Sequence, residues 1–333
     1  MGRVNLRDVC FVVFLAAVLL APAAGTLAQG GPDFAAAIDT EDVMVHVRAL
    51  SVAIGARPLG SEAEARAADY VAVTLRDWGY TVELQTFETR PRGSGERVLS
   101  RNVIATRPGG DQLVIAGAHL DSVEAGTGAG DNASGVAALL AAAKALRDVE
   151  LTHTLVFVAF GAEEGGDPSG AQVYVDHLGA RTAEVIAMLN IDSVGVGDTL
   201  YVYAGAPVSW PDGPNAAPEI GNGPVWVRDL ALDLAAGLGL PFQTSPPETW
   251  GGYTGDWSDH YAFVEAGIPV AYFEAWRWDG ARNPWWGQET ADGDVMHTAG
   301  DVYEAVKPAQ VEQVAELVAA TLAAIASGAA GPP

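Results

Sequence analysis

The sequence predicts a single α/β domain, with a mixed and mostly parallel central sheet flanked by helices. Three observations carry that prediction. Strand-like apolar runs alternate with helix-like patterns through most of the 333 residues. Some runs, such as "LVFVAF" at residues 155–160, are apolar at every position, as expected of strands covered on both faces. No internal repeat and no convincing linker divides the chain, although its length permits one large domain or two smaller ones.

The elements follow in order. Val43, Val47 and Leu50 recur at helical spacing in "TEDVMVHVRALS". A stronger helix starts at Ser61, which forms a capping box with Glu64. Ala67, Val71, Leu75 and Trp78 are its apolar stripe, and Gly79 stops it. "YTVELQTF" alternates like a strand, and "RNVIATR" and "DQLVIAGAH" read as further strands. A helix rich in alanine and leucine spans Asp131 to Arg147, followed by the buried strand "HTLVFVAFGAEE". "SGAQVYVDHL" is helical, "AEVIAMLNID" a strand, "GPVWVRDLALDLAAGLGL" a helix and "AGIPVAYFEA" a late strand. The last helix runs from Pro308 to Ile325. Residues 204–224 and 279–294, rich in Gly and Pro, read as surface insertions. His46, His153 and His177 show no partner pattern and read as surface residues.

Composition narrows the function. Hydrophobic residues make up 49% of the chain, which argues for a globular protein. The net charge of −24 excludes a basic face for nucleic acid or an anionic membrane, and suits divalent metals and cationic substrate ends. Residues 1–28 read as a signal peptide: Arg3 and Arg7 precede the apolar "VCFVVFLAAVLLAPAA", with a cut expected after Ala28. That predicts a secreted or periplasmic protein; an uncleaved anchor is the alternative, disfavoured because the run is short for a membrane span. Residues 29–40 read as a leader, 41–326 as the domain and 327–333 as a disordered tail. Cys10, the one cysteine, lies inside the signal. The mature chain therefore has no thiol, and any catalytic metal must be held by His, Asp and Glu.

In open α/β sheets ligands gather at the carboxyl ends of strands. Here "QLVIAGAH" leads to His119 and Asp121, "TLVFVAFGAEE" to Glu163 and Glu164, and "VIAMLNID" to Asp192. Asp131 opens a helix after a glycine-rich loop, and "DVMHTAGD" supplies His297. Singly, each has an ordinary use: Asp131 as an N-cap, the glutamates as a solvated strand end, His119 as a core histidine. Jointly they point elsewhere, because adjacent carboxylates ending an apolar run resist desolvation unless something positive neutralises them.

The chain resembles the secreted two-zinc aminopeptidases, co-catalytic zinc metallopeptidases related to bacterial leucyl aminopeptidases, glutamate carboxypeptidase and the glutaminyl cyclases. The resemblance covers about residues 55–325. It rests on "ARPLGSEAEARAADYVAVTLRDWGYTVELQTF", "NVIATRPGGDQLVIAGAHLDSV", "GAGDNASGVAALLAAAKAL", "TLVFVAFGAEE", "MLNIDSVG", "SDHYAFVEAGIPVAYF" and "MHTAGD" in that order. It implies a zinc exopeptidase fold of the phosphorylase/hydrolase-like kind. It also implies His119, Asp131, Glu164, Asp192 and His297 as ligands of two zinc ions, with Asp131 bridging, and Glu163 as the general base toward a zinc-activated water. On that reading the glycine loop lets a strand-end histidine and a helix-start aspartate reach one metal, and Asp121 orients His119 without ligating. The resemblance further implies a cis bond between Asp131 and Asn132.

The implied activity is removal of N-terminal residues from peptides with a free N-terminus, by a monomer that meets neither nucleic acid nor, after signal cleavage, membrane. Asp259 and His260 resemble residues that support the site near the substrate amine. Many family members place a tyrosine late in the chain to stabilise the tetrahedral intermediate. Met296, immediately before His297, cannot donate a hydrogen bond, so either zinc polarisation suffices or another donor such as Tyr253 or Tyr303 serves. Trp285 and Trp286, in a segment with four tryptophans, form either an apolar pocket wall or loop packing. The rivals are a carboxypeptidase or dipeptidase, which needs converging cations such as Arg228, Arg277 or Arg282, a one-zinc glutaminyl cyclase, and an inactive receptor-type domain.

Overall fold

The computed structural model describes residues 34–210, 218–277, 289–290 and 293–333. The chain enters through α1 (Phe34–Ala37), α2 (Thr40–Arg48) and α3 (Glu62–Asp77). The hairpin β1 (Thr81–Pro91) and β2 (Val98–Arg107) leads to β3 (Leu113–His119), α4 (Gly135–Leu146), β4 (Thr154–Phe160) and the two-residue β5 (Gly166–Asp167). Then come α5 (Gly170–Leu178), β6 (Val185–Ile191), β7 (Thr199–Ala204), and a small ribbon of β8 (Val208–Ser209) and β9 (Glu219–Ile220). After α6 (Trp226–Leu238) follow β10 (Phe242–Gln243), α7 (His260–Glu265) and β11 (Val270–Trp276). A second ribbon, β12 (Glu289–Thr290) with β13 (Gly293–Asp294), precedes α8 (Pro308–Ala326).

The nine-stranded sheet has the order β10-β7-β11-β6-β3-β4-β2-β1-β5. Its centre, β11-β6-β3-β4, is parallel throughout, and β7, β2 and β1 join it antiparallel. This is the mixed α/β architecture the alternation implied. The parallel centre has a simple cause. Every residue of β3, β4, β6 and β11 is buried, so these strands need cover on both faces, which helical crossovers provide. The larger core joins one face of the sheet to α2, α3, α4, α6 and α8. The smaller covers the other face with α5 and α7. Helix α8 is apolar and long enough to cross a membrane, but 67% of its apolar window is buried, and it packs beside α4 as core.

Several local expectations change. The leader does not end at residue 40 as a separate segment: Phe34 and Ile38 are buried in the main core, so the packed body reaches back to α1. The tail is tied at its start, since Ala330 N–H donates to the Ala324 carbonyl at 2.9 Å. Strand β7 was not anticipated, because "TLYVYA" abuts a Gly/Pro-rich stretch that reads as loop. Glu64 completes only half of the capping box: its N–H bonds Ser61 Oγ at 3.1 Å, while its carboxylate turns to the Gly60 N–H instead. The expected signal, residues 1–28, lies outside the described residues.

His46 is not a surface residue. It is 7% exposed, its Nδ1 lies 2.6 Å from the Tyr70 hydroxyl, and its ring meets Tyr70 and Trp78 edge-on. Burial lowers its pKa to about 4, against the pull of Asp42. The unfolded chain therefore binds a proton between about pH 6.5 and 4 that the folded chain refuses, and stability falls as pH drops through that window. Relative to His46→Phe, the wild type should lose about 2 kcal/mol between pH 7 and 4.5, measured by urea unfolding of both proteins.

Candidate metal centre

The strand ends converge as their sequence suggested. His119 closes β3 and Asp192 follows β6, and these parallel neighbours deliver both side chains to one edge of the sheet. His119 Nε2 lies 3.1 Å from Asp131 Oδ1 and 3.2 Å from Asp192 Oδ1. On the other side His297 Nε2 lies 3.1 Å from Asp131 Oδ2 and 3.1 Å from Glu164 Oε2. The two oxygens of Asp131 thus face different imidazoles. His119, Asp131 and Asp192 form one group with ligand atoms within 4.8 Å of one another, and Asp131, Glu164 and His297 form another. His119 with Glu163 and Glu164 also meets that distance.

Asp131 reaches this position because it and Asn132 leave the helical region, with φ/ψ of −112°/93° and −134°/40°. The bond between them is cis, and the regular α4 starts at Gly135, not at Asp131 as its composition suggests. Asn132 holds the turn with both ends of its amide. Its Nδ2 donates to the Ile191 carbonyl at 2.9 Å, and its Oδ1 accepts from the N–H groups of Gly135 (2.9 Å) and Ser193 (3.1 Å). A Cβ at position 135 would collide with that Oδ1, which is why glycine stands there. Asp301 accepts from the N–H groups of Gly130 at 2.5 Å and Asp131 at 3.2 Å. Three residues other than glycine with left-handed φ also flank the centre: Ala162 (63°), Ser193 (53°) and His297 (57°).

Asp121 lies beside His119 and has a second task. His119 Nδ1 is nearer the Asp121 backbone carbonyl, at 3.2 Å, than its Oδ1, at 3.7 Å. The carboxylate chiefly holds the next loop, accepting from Glu163 N–H at 3.1 Å and Glu164 N–H at 3.0 Å. Ser258, which sequence reasoning missed beside Asp259, donates to Asp192 Oδ2 at 2.7 Å and accepts from Asn190 Nδ2 at 2.9 Å.

The electrostatics suit a cation. Burial works against charge on His119, but Asp192, Glu163, Asp121 and Asp131 outweigh it and raise its pKa well above the usual value. Hydrogen bonds to Asp131 and Glu164 bring His297 up to about 11. Burial raises Asp131 as well, yet its bonds to both histidines leave it below the usual carboxylate range. Burial, then Glu164, Asp192 and Asp259, push Glu163 well up against the opposing pull of His119. A divalent ion would displace the histidine protons and take their place between the same side chains. The residues fit one: Glu164 Oε1 is buried with no hydrogen-bond partner among the described residues, as a metal-facing oxygen would be.

A cleft of about 650 Å³ opens onto these groups, lined among others by Arg92, Glu163, Trp257, Asp259, Tyr261 and His297. Asp259 is 3% exposed, and neither of its oxygens has a hydrogen-bond partner among the described residues. His260 turns away, bonding the Gly255 carbonyl at 2.8 Å and stacking on Tyr272. Tyr253 is not brought to the cleft: its hydroxyl donates to the Gly223 carbonyl at 3.4 Å. Tyr303 packs against the main core, and Met296 against the Tyr201, Tyr203, Tyr272 and Trp276 cluster. Arg228 is bound to Asp229 and the Gly252 carbonyl, and Arg277 lies 3.8 Å from Asp198, so neither lines the cleft. Trp285, Trp286 and Arg282 fall outside the described residues. A second cleft of the same volume lies at the opposite strand ends, lined by Glu83, Asp111 and Arg181 among others, away from the ligand groups.

The sequence model of Peptidase family M28 matches residues 102–322. Leupeptin-inactivating enzyme 1 of Streptomyces exfoliatus is 36% identical over 271 residues, 78% of this chain and 54% of its own length, so the chain spans about half of that relative. BSAP, a zinc aminopeptidase from Bacillus subtilis, superposes with a TM-score of 0.66 at 21% identity over 86% of this chain and 94% of that one. A glutaminyl cyclase of Porphyromonas gingivalis superposes with a TM-score of 0.68 at 23% identity over 87% and 98%. At these identities the two structures show likeness of fold.

The double grip of Asp121 yields a prediction. Asp121→Asn sets an amide N–H₂ against one of the two backbone N–H groups it now accepts from, in a fully buried position. It should destabilise the protein by about 1–3 kcal/mol, read as a lowered midpoint in thermal or urea unfolding.

Proposed function

The chain belongs to peptidase family M28, and from that premise we propose that it is an exported aminopeptidase carrying two zinc ions. The observation that carries the reading is Asp131, whose two oxygens face two histidines, each at 3.1 Å, in two separate three-residue groups. His119, Asp131 and Asp192 would hold one ion, and Asp131, Glu164 and His297 the other, three protein ligands each. Zinc so held supplies Lewis acidity toward the scissile carbonyl and toward water.

The chain's own residues supply the rest. Glu163 stands beside the ligand Glu164 with its backbone N–H fixed by Asp121. It takes the proton of the attacking water and returns it to the leaving amine. Asp259, buried at the cleft with both oxygens free of hydrogen bonds among the described residues, receives the substrate ammonium, with Glu163 and Asp192 as further partners. The cation holds the carboxylate ionised against the burial that otherwise raises its pKa. That pairing selects a free N-terminus. Arg228 and Arg277, the two described arginines among the three the sequence offered, are engaged elsewhere, while Arg92 lines the cleft, so N-blocking and not the lining separates an aminopeptidase from a carboxypeptidase. Export rests on the charged start and apolar run of residues 1–28.

The likeness to a glutaminyl cyclase gives a second reading some support. Metal content separates them: two zinc ions per chain favour the peptidase, while one ion together with cyclisation of N-terminal glutamine favours the cyclase. The deciding assay compares aminoacyl amides with their N-blocked forms, with and without chelator. Cleavage should vanish on N-blocking and on chelation. Glu163→Gln should keep its zinc and lose at least about 100-fold in kcat; turnover near wild type in that variant would remove Glu163 from its role.

A further inference from the structure

Two charged side chains, Arg57 before α3 and Glu64 in its first turn, stand behind the metal centre. Arg57 is fully buried, yet its guanidinium makes hydrogen bonds to carbonyls alone. Nε donates to Leu120 at 2.7 Å, Nη1 to Thr127 at 2.9 Å, Gly55 at 3.0 Å and Leu50 at 3.3 Å, and Nη2 to Gly128 at 2.7 Å. Its backbone clasps the same loop: Arg57 N–H donates to Ser122 Oγ at 3.0 Å, and Ser122 N–H returns to the Arg57 carbonyl at 3.2 Å. Leu120 adjoins His119, and Gly128 lies three residues before Asp131, so one planar group spans the loop that separates two ligands. Gly128 has φ 62°, and a Cβ there would stand 2.7 Å from Nη2, so the loop closes tightly around the guanidinium. A buried cation without a hydrogen-bonded anion is costly. Here burial lowers its pKa to about 10, and the fields of Asp301, Asp121, Asp131 and Glu164 offset only part of that desolvation.

Glu64 does the equivalent for the neighbouring loop. It is 2% exposed and accepts from Gly60 N–H and Ser100 Oγ. A Cβ at Gly161 would stand 2.9 Å from its Oε1, so the carboxylate abuts the backbone two residues before Glu163, where Ala162 has φ 63°. Asp121 accepts from the N–H groups of Glu163 and Glu164, so buried carboxylates line both sides of this turn. A rigid grip there decides where the Glu163 side chain starts.

We propose that Arg57 and Glu64 are positioning residues of the metal centre, Arg57 setting the spacing of His119 and Asp131 and Glu64 setting the direction of Glu163. The proposal rests on the two-metal reading above. It separates the two side chains by what they should change. Arg57 acts on metal retention, since lysine keeps the charge but cannot fork to five carbonyls. Glu64 acts on turnover with the ligands undisturbed.

The test uses the full chain and two variants at each position, Arg57→Lys and Arg57→Met, Glu64→Gln and Glu64→Ala, each loaded with zinc. Zinc retained against graded chelator is measured on folded protein, and kcat and KM on a leucyl chromogenic amide. Arg57→Lys should release zinc at about tenfold lower chelator than wild type, the usual scale for a residue that orients ligands, and Arg57→Met lower still. Glu64→Ala should lose about tenfold in kcat with KM and zinc retention unchanged, and Glu64→Gln should recover part of that loss. Should Arg57→Met not fold, Arg57→Lys decides. Lowered melting temperatures with wild-type zinc retention in Arg57→Lys, or wild-type kcat in Glu64→Ala, would overturn the proposal. Failure of the underlying metal reading looks different: the wild type itself would take up no zinc, and the proposal would fall with it.

Discussion

A single carboxylate facing two imidazoles is the constraint around which the molecule is organised. For Asp131 to present one oxygen to His119 and the other to His297, the chain must turn between a strand and a helix within a few residues. It must then be held there by groups that are not ligands. Asn132 ties the turn to β6, Asp301 ties it to the late loop that carries His297, and Gly135 leaves room for both. The parallel centre of the sheet places His119 and Asp192 on adjacent strands at one edge. Fold and site are therefore consequences of the same requirement, that strand ends meet in a buried and polar place.

Carboxylates outnumber cations in that place. Asp121, Asp131, Asp192, Asp259, Glu274 and Asp301 are all buried, and two histidines and Arg57 are the positive groups among them. The consequence is visible in their titration. The histidines are pushed up, burial and mutual repulsion push Glu163, Asp259 and Glu274 up, and Asp131, bonded to both histidines, moves down. Protons and divalent ions compete for one position, so occupancy by metal and the protonation of the whole cluster are linked. Asp301, raised to about 6 by burial against the N–H bonds from Gly130, belongs to that linkage although it is not a ligand.

What the sequence disclosed divides along physical lines. Strand ends were legible because an apolar run that stops in His, Asp or Glu is unusual, and the ligand candidates sit there, His119 and Glu164 among them. Arg57 was not, because its partners are backbone carbonyls, which every residue possesses and which leave no trace in composition. Glu64 was read as half of a capping box because local spacing fits one. The pull of Gly60 N–H and the long-range bond from Ser100 decided otherwise. His46 looked free for the same reason: Tyr70 and Trp78 surround it from α3 and its end, not from its own neighbourhood in sequence. The start of α4 was placed four residues early because alanine-rich composition cannot reveal that Asp131 and Asn132 leave the helical region. Asp301 carried one faint signal, its place four residues after His297 in "HTAGD".

Ala162, Ser193 and His297 each hold a left-handed backbone beside the metal groups, and none of them is glycine. Such a conformation costs a residue with a Cβ on the order of 1–2 kcal/mol, and glycine would relieve it. Laboratory evolution toward heat tolerance would thus find easy gains at Ala162 and Ser193. It would collect them at the expense of the rigidity that aims Glu163 and Asp192, so robustness and turnover draw on the same few torsion angles.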